Sequence, residues 1–255
     1  MAIKIEQGYI STLSKIEKKR VKPEKKVDLN FYRGVVSNKT GKGVKVCLID
    51  TGYPDNPYII EARKNSISCT ETPLQTNKDR DGHATYTASV IKRLSQDEYG
   101  ISHNCELYYA AVFDKGSISY SSVITAILWC ISTHIDIICM PISANYDFLM
   151  LERTIAKAIK NNICIFAPVD GNDIYPGVYD GVYSIGKNSK SRKQIKDIKY
   201  FNFDINDKNV YLSGISLYCA LYAGLAANLI EDYSKKKKKY KIEDIYSKLD
   251  LIREI

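Results

Sequence analysis

The sequence predicts an α/β fold in which a mostly parallel central sheet is covered by helices on both faces. Short apolar runs alternate along the chain with longer segments whose apolar residues recur at helical spacing. This alternation is typical of parallel strands joined by crossover helices, and a parallel strand buried on both faces is a continuous apolar run. Of the 255 residues, 45% are hydrophobic and 26% are charged, which excludes a disordered or fibrous chain.

Five apolar runs are predicted to be strands. The first, Val44–Ile49, is followed by Asp50-Thr51-Gly52, which predicts that a turn ends the strand. The other four are Leu107–Val112, Asp136–Ile142, Ile163–Pro168 and Val182–Ile185.

Four segments with the helical pattern follow these runs: Ser121–Thr133, Leu151–Lys160, Ser216–Ile230 and Ile242–Ile252. The small residues of Ser216–Ile230 predict close backbone packing deep in the fold. In the polar and charged segment 1–43, Ile10, Leu13 and Ile16 lie at helical spacing and predict a weak N-terminal helix.

The seven cysteines form no C-x-x-C pair, and four of them lie inside apolar runs. This pattern predicts buried free thiols in a reducing compartment and lacks the spacing of a metal site. No apolar run reaches the roughly 18 residues of a membrane span, and Met1–Lys26 has no apolar stretch of signal-peptide length. We therefore expect a cytoplasmic protein that does not associate with a membrane.

The formal net charge of +8 raises the question of nucleic-acid binding. Five of the lysines form a single run, Lys235–Lys239, which we interpret as a solvated basic stretch near the start of a helix. We expect no nucleic-acid partner. A nucleic-acid binder acting through this run stays as a third hypothesis, and it requires an affinity that falls steeply with salt.

Three polar residues lie where parallel α/β sheets collect their chemistry, beyond the carboxyl ends of strands. Asp50 closes the first strand, His83 opens a helix after a polar loop, and Ser216 starts the helix rich in small residues. Serine needs a base to accept its proton, and the base needs a carboxylate to hold its tautomer. The order Asp, His, Ser on such a sheet is a known arrangement of these three groups.

The residues that flank these three resemble the subtilisin-type serine proteases, the subtilases. The family's apolar run before Asp-[Thr/Ser]-Gly is similar to Val46–Gly52, and its Gly-His-Gly-Thr-x-x-Ala segment is similar to Gly82–Ala88. Its Gly-Thr-Ser-Met-Ala segment resembles Gly214–Tyr218, with Ala223-Gly224 downstream. Further similarity in the intervening segments extends the resemblance over about residues 40–230, and it implies a three-layer α/β/α subtilisin-like fold.

The resemblance implies a role for each residue of the candidate site. Ser216 would be the nucleophile, His83 the general base and acid, and Asp50 the carboxylate that orients His83. Asn172 would donate its side-chain amide to the oxyanion, together with the backbone N–H of Ser216. Substrate backbone would pair as an added strand with two segments, Gly116-Ser117-Ile118 and Pro141-Ile142-Ser143. The substrate would be a protein or a peptide.

The chain departs from the family pattern around these residues. Ala84 follows the histidine where the family has Gly, Ile215 precedes the serine, and Leu217 and the bulky Tyr218 follow it. Together, these departures are expected to narrow or reshape the pocket without removing a reacting group. Subtilases commonly bind structural calcium after the histidine helix. The corresponding segment, 92–100, contains only Asp97 and Glu98 as carboxylates, so we assign no metal site and expect no required cofactor.

The segment before the first strand is short for a secreted subtilase with a leader and a folding prodomain. The intracellular branch of the family instead has a short extension that lies across the active site and is clipped off. We therefore expect residues 1–20 to be an inhibitory N-terminal extension of a zymogen, cut near Lys18-Lys19-Arg20, and residues 21–255 to be the catalytic domain. A packed or disordered arm without inhibitory function is the alternative.

Besides the nucleic-acid binder, two functions from different classes remain open at this point. The first is a serine endopeptidase, with the character of a dedicated processing protease. The second is a catalytically weak pseudoprotease that binds peptides or partner proteins as a regulator. Tight peptide binding without turnover, unchanged by Ser216→Ala, would distinguish the second from the first.

Overall fold

The structure is a computed structural model that describes residues 9–10, 12–13, 16–36, 38–54, 56, 59, 64–72, 79, 82–114, 117–169, 175–204, 209–236 and 238–252. Its helices are α1 (Leu29–Val36), α2 (His83–Lys92), α3 (Tyr120–Ser132), α4 (Leu149–Lys160), α5 (Ile215–Lys235) and α6 (Ile242–Asp250). Its strands are β1 (Tyr9–Ile10), β2 (Thr12–Leu13), β3 (Glu17–Lys19), β4 (Lys45–Asp50), β5 (Ser66–Ser68), β6 (Glu106–Ala111), β7 (Phe113–Asp114), β8 (Ser117–Ser119), β9 (Ile137–Cys139), β10 (Ile142–Ser143), β11 (Cys164–Val169), β12 (Val182–Gly186), β13 (Lys193–Gln194), β14 (Phe201–Asp204) and β15 (Asn209–Ser213).

A parallel sheet forms the centre of the fold. Its seven strands within the described residues run in the order β13-β12-β11-β9-β4-β6-β5, and every pair between them is parallel. The first strand of the sequence prediction, β4, lies in the interior of this sheet, between β9 and β6. Its carboxyl end therefore has neighbouring strand ends on both sides.

Helices cover both faces of the sheet, as the sequence predicts. Alternate residues of β4 face opposite ways, so that Val46 and Leu48 pack in one core and Cys47 and Ile49 in the other. The first core is shared with α1, α2, α5 and α6, and the second with α3 and α4. The predicted three-layer α/β/α architecture is therefore confirmed.

The predicted N-terminal helix is wrong. The backbone at 9–10 and at 12–13 is extended, and each of these two strands pairs antiparallel with a strand from much later in the chain. The predicted strand Asp136–Ile142 is also divided. Its first part is β9 of the central sheet, whereas β10 leaves the sheet after Pro141 and pairs with β2.

The helix α5 carries the close packing that its small residues predict. A Cβ atom at Gly224 would lie 2.1 Å from Cγ2 of Ile101, a separation that real side chains do not reach. Both residues are buried, and Asn228 on the same helix donates from its side chain to the carbonyl of Ile101 at 2.9 Å. The glycine therefore allows α5 to lie close to the segment that follows α2.

No helix in the described part of the chain is both long enough and apolar enough to cross a membrane.

We expect Gly224→Ala to lower the free energy of unfolding by about 1–3 kcal/mol, the usual cost of overpacking, less the small gain in helix propensity. Ile101→Ala alone should cost about 2–5 kcal/mol. In the double variant the new methyl group occupies space that Ile101 leaves, so the two losses should not add. Urea unfolding of the three variants and the wild type measures this coupling, and strictly additive losses would contradict the packing described.

Candidate active site

Three polar side chains from distant parts of the sequence meet at the carboxyl edge of the central sheet. Asp50 is the last residue of β4, His83 is the first residue of α2, and Ser216 is the second residue of α5. Nδ1 of His83 lies 2.6 Å from Oδ1 of Asp50, and Nε2 lies 3.0 Å from Oγ of Ser216. Asp50 and Ser216 are 0% exposed and His83 is 5% exposed.

This geometry gives the serine hydroxyl a base. With a proton on Nδ1, which is hydrogen-bonded to the carboxylate, Nε2 of His83 is left as an acceptor for the hydroxyl of Ser216. The carbonyl oxygen of Pro141 lies farther from the same hydroxyl, at 3.4 Å. Because the carboxylate and the ring are buried, their attraction is screened less than it would be in water.

The start of α2 depends on a glycine. Gly82 precedes His83 with a φ of 75°, in the left-handed region, and a Cβ there would lie 2.9 Å from the ring of Tyr86. Glycine adopts this conformation without steric cost. Since Gly82 has no side chain with which to cap the helix, another group must satisfy the free N–H groups of the first turn.

That group is the carboxylate of Asp79. Its Oδ2 accepts hydrogen bonds from the backbone N–H and from the hydroxyl of Thr85, both at 2.6 Å. Its Oδ1 accepts from the hydroxyl of Thr51 at 2.8 Å. Asp79 therefore ties the helix that carries His83 to the turn that follows Asp50. Burial raises the pKa of Asp79, and the nearby Asp50 carboxylate raises it further, against the lowering effect of the hydrogen bonds.

The carboxylate of Asp50 is held on both of its oxygens. Oδ1 accepts from the backbone N–H of Thr51 at 2.7 Å, in addition to its contact with His83. Oδ2 accepts from the hydroxyl of Thr87 at 2.8 Å. Neither Thr87 nor Asp79 is among the site residues predicted from the sequence. The signal for Thr87 is its position four residues after His83 on one helix face. The signal for Asp79 is its position shortly before α2, whose N-cap, Gly82, has no side chain to accept a hydrogen bond.

The described residues of the segments predicted to hold a substrate lie on or next to two short strands, and the carbonyl oxygen of Pro141 is 3.4 Å from the hydroxyl of Ser216. Ser117 and Ile118 belong to β8, Ile142 and Ser143 belong to β10, and Pro141 precedes β10. Gly116 lies outside the described residues, and so does Asn172, the predicted oxyanion donor.

The chain's own N-terminal segment pairs with both of these strands. Within the described residues, β1 is antiparallel to β8 with Ile10 opposite Ile118, and β2 is antiparallel to β10 with Leu13 opposite Ile142. Farther on, β3 is antiparallel to β15 with Glu17 opposite Ser213. We call these described residues between 9 and 19 the arm, and the edges of β8 and β10 with which it pairs the cleft. The last pairing of the arm is with Ser213, three residues before Ser216 in the chain.

The departures next to the serine point into the core rather than into the cleft. Tyr218 is 1% exposed, its ring packs edge-on against Phe201, and its hydroxyl accepts from the backbone N–H of Lys199 at 2.9 Å. The bulk of Tyr218 is therefore accommodated in the core. Ile215 and Leu217 are buried as well, and Ala84 is fully enclosed on α2.

The seven cysteines are the other potential nucleophiles, and together with His, Asp and Glu they are the potential metal ligands. All seven cysteines are free, and burial raises the pKa of the Cys139 and Cys219 thiols well above the usual value, so that they stay protonated at neutral pH. In the part of the chain that the structure describes, no three His, Cys, Asp or Glu side chains are grouped to share a metal ion.

The raised pKa of Asp79 predicts a pH-dependent difference between the wild type and Asp79→Asn. A carboxyl whose pKa is raised on folding contributes stability only while it is protonated, and this contribution is lost as pH rises from about 4 through the folded pKa. The loss is about 1.4 kcal/mol for each unit of the increase. In the variant, the amide oxygen accepts from Thr85 and the amide group donates to Thr51, so it should gain stability relative to the wild type between pH 4 and pH 8.

Urea unfolding, followed by the fluorescence of the single tryptophan, measures this difference across the pH range. Asp97→Asn, at an exposed carboxyl on the loop after α2, is the matched control. A constant difference in stability between the wild type and Asp79→Asn at every pH would contradict the titration of Asp79.

The model of the subtilase family, Peptidase S8, matches residues 41–243. Subtilisin amylosacchariticus of Bacillus subtilis subsp. amylosacchariticus is 28% identical over 199 residues, which cover 72% of this chain and 50% of that protein. Subtilisin of Bacillus pumilus is 27% identical over 199 residues, covering 72% of this chain and 70% of that protein. A thermostable alkaline protease of Halalkalibacterium halodurans is 26% identical over 207 residues, covering 73% of this chain and 56% of that protein.

The first of these matches spans about half the length of the relative concerned. The family model, in contrast, covers well over half of this chain and includes Asp50, His83 and Ser216. The chain therefore belongs to the subtilase family.

Proposed function

We propose that this chain is a serine endopeptidase that cleaves protein or peptide substrates through an acyl-enzyme on Ser216. The observation that carries the proposal is the buried relay from Asp50 through His83 to Ser216, with contacts of 2.6 and 3.0 Å. Membership of the subtilase family supports the same reaction. The distances are within hydrogen-bond reach, as proton transfer requires.

In the proposed reaction, Oγ of Ser216 attacks the carbonyl carbon of the scissile bond while Nε2 of His83 takes the hydroxyl proton. Asp50 keeps the ring oriented and stabilises the imidazolium that forms. His83 then gives the proton to the leaving amine, and a water molecule, activated by the same ring, hydrolyses the acyl-enzyme. The backbone N–H of Ser216 lies in the first turn of α5 and is the proposed donor to the oxyanion, with Asn172 as the second proposed donor.

The arm is the proposed inhibitor of this activity. Antiparallel pairing with β8 and β10 gives the arm the position of an added strand, which is how an extended peptide binds to a sheet edge. Its direction leads from β8 toward Ser216, because Leu13 lies opposite Ile142 and the carbonyl of Pro141, one residue away, is 3.4 Å from the Ser216 hydroxyl. While the arm is in place, a substrate strand cannot pair with the same edges.

The register also changes the proposed cleavage site. Glu17 and Lys18 pair with Ser213 and Leu212 of β15, the strand that leads to Ser216, whereas Leu13 pairs with Ile142 of β10. We therefore propose that self-processing cuts between Leu13 and Glu17, rather than near Lys18-Lys19-Arg20 as the sequence suggested. A chain that removes its own arm in this way is a zymogen with a short prosegment.

The cysteines support assignment to the intracellular branch of the family. All seven are unpaired, and at least one thiol, that of Cys69, is not fully buried. Free thiols persist in reducing compartments, whereas secreted proteins form disulfides. A cytoplasmic enzyme with a cleft closed by its own arm is suited to processing a small set of substrates, and this is the role that we propose.

A peptide-binding pseudoprotease is the second candidate function. The feature that favours it is the occupied cleft, since a strand held there without being cut would be the normal state of a binding protein. The two functions differ in a measurable way, because only the first requires that His83 activate Ser216.

We expect a fluorophosphonate probe to label Ser216 in the chain once the arm has been cut. Ser216→Ala should abolish labelling. Asp50→Asn should slow it about 10⁴-fold, because an amide at this position donates to Nδ1 and leaves the proton on Nε2, which is the wrong tautomer. Intact mass measures the labelling rate of each variant. A folded chain that has lost its arm and is still not labelled would exclude the peptidase and favour the pseudoprotease.

We expect the purified wild type to lose its N-terminus with time, by cleavage between Leu13 and Glu17, and activity to appear with a lag. Ser216→Ala should stay full-length, since it lacks the nucleophile. The matched control changes Lys18, Lys19 and Arg20 to Gln, and it should be cut at the same bond and rate. N-terminal sequencing and intact mass give the site, and a cut that moves or disappears in the control would contradict the register argument.

A further inference from the structure

Thr87 makes a buried contact to which neither the family pattern nor the roles above assign a purpose. It lies on α2, is 0% exposed, and its hydroxyl is 2.8 Å from Oδ2 of Asp50. The family's histidine segment leaves this position open to different residues. The contact is therefore a property of this chain's own residues.

The hydroxyl of Thr87 has one proton and three acceptors within reach. The carbonyl oxygens of His83 and Ala84 are 3.1 and 3.0 Å away, and both belong to the helix that carries Thr87. Carbonyls in a helix already accept from the backbone N–H four residues later, so they do not need the hydroxyl. The carboxylate is charged and is also the nearest of the three acceptors, and hydrogen bonds to charged groups are the stronger ones. The proton therefore goes to Asp50.

The partners of Asp50 show what this hydrogen bond does. His83 and Thr87 are four residues apart, so they lie on one face of α2, one turn apart. The first holds Oδ1 of the carboxylate and the second holds Oδ2. Rotation of the carboxylate about its Cβ–Cγ bond would break one contact or the other. The same helix face thus fixes both the imidazole and the plane of the carboxylate that orients it.

We infer that Thr87 is a positioning residue of the proposed peptidase, acting through its hydroxyl on Asp50 and through Asp50 on His83. This inference rests on the proposed function, in which the imidazolium forms only during the reaction. Thr87 does not reach the substrate, so its loss should leave substrate binding unchanged and should slow the chemical step. The loss of one hydrogen bond to a charged group corresponds to a decrease in kcat of about 10- to 100-fold.

The test is a series of substitutions at position 87. Thr87→Val keeps the shape and removes the donor, Thr87→Ser keeps the donor and removes a methyl group, and Thr87→Cys keeps a weak donor. The substrate is an internally quenched peptide with the sequence of residues 9–19. We expect kcat to fall in the order Thr, Ser, Cys, Val, with Ser within a few-fold of the wild type and KM constant. Packing alone would place Val nearest to the wild type, and that order would overturn the inference.

A second readout does not depend on turnover. The proton on Nδ1 of His83, in a short hydrogen bond to Asp50, gives a far-downfield NMR resonance that His83→Gln identifies by its loss. We expect this resonance to shift or broaden in Thr87→Val and to keep its wild-type position in Thr87→Ser. A resonance that is the same in all variants overturns the inference. If Thr87→Val prevents folding, the comparison of Thr87→Cys with Thr87→Ser decides.

The two readouts separate this inference from the function on which it rests. A wild type that does not cleave the peptide after removal of its arm counts against the peptidase, and the resonance still shows whether Thr87 holds the Asp50–His83 pair. A wild type that is active, with Thr87→Val equally active, removes the role of Thr87 and leaves the peptidase in place.

Discussion

The fold places a carboxylate, that of Asp50, where water does not reach it, and much of the surrounding structure follows from this one constraint. A buried charge is tolerated only when hydrogen bonds replace its hydration. Asp50 receives these bonds from the turn that follows it, from the first residue of α2 and from the next turn of the same helix. Each of these elements is therefore fixed relative to β4. Because α5 packs against α2, the start of α5 and Ser216 are fixed as well.

A second buried carboxylate, that of Asp79, lies near Asp50, and burying both lowers the stability of the folded state. Asp79 caps α2 and holds the turn after Asp50, but it is itself buried and is close to a like charge. Repulsion between two buried carboxylates disfavours the folded state at neutral pH. The hydroxyls of Thr51, Thr85 and Thr87 help to offset this repulsion, because each donates a hydrogen bond to one of the two carboxylates. The polar network and the helix start are thus one structural unit.

The sequence was sufficient to predict the layers, the buried central strands and the meeting of Asp50, His83 and Ser216, because these depend on local patterns and on the rule that sites lie at strand ends. The arm was predicted as a helix, since Ile10, Leu13 and Ile16 have helical spacing and strands of two residues are too short to show alternation. Its partners lie more than 100 residues away, and no local pattern encodes them. The helix α1 was missed although Asp28 caps it, accepting from the N–H groups of Asn30 and Phe31.

The departures from the family pattern are compatible with this geometry because of where α5 directs its side chains. Ser216 faces the cleft, whereas Tyr218 and its neighbours along the first turn face the core, where the ring of Phe201 and the backbone of Lys199 receive Tyr218. A change of residue at 215, 217 or 218 is therefore a change in core packing, which tolerates substitution when volume is conserved. The relay depends on the backbone path of two helix starts rather than on these side chains. It follows that the arm, rather than these side chains, is what pairs with the strand edges β8 and β10.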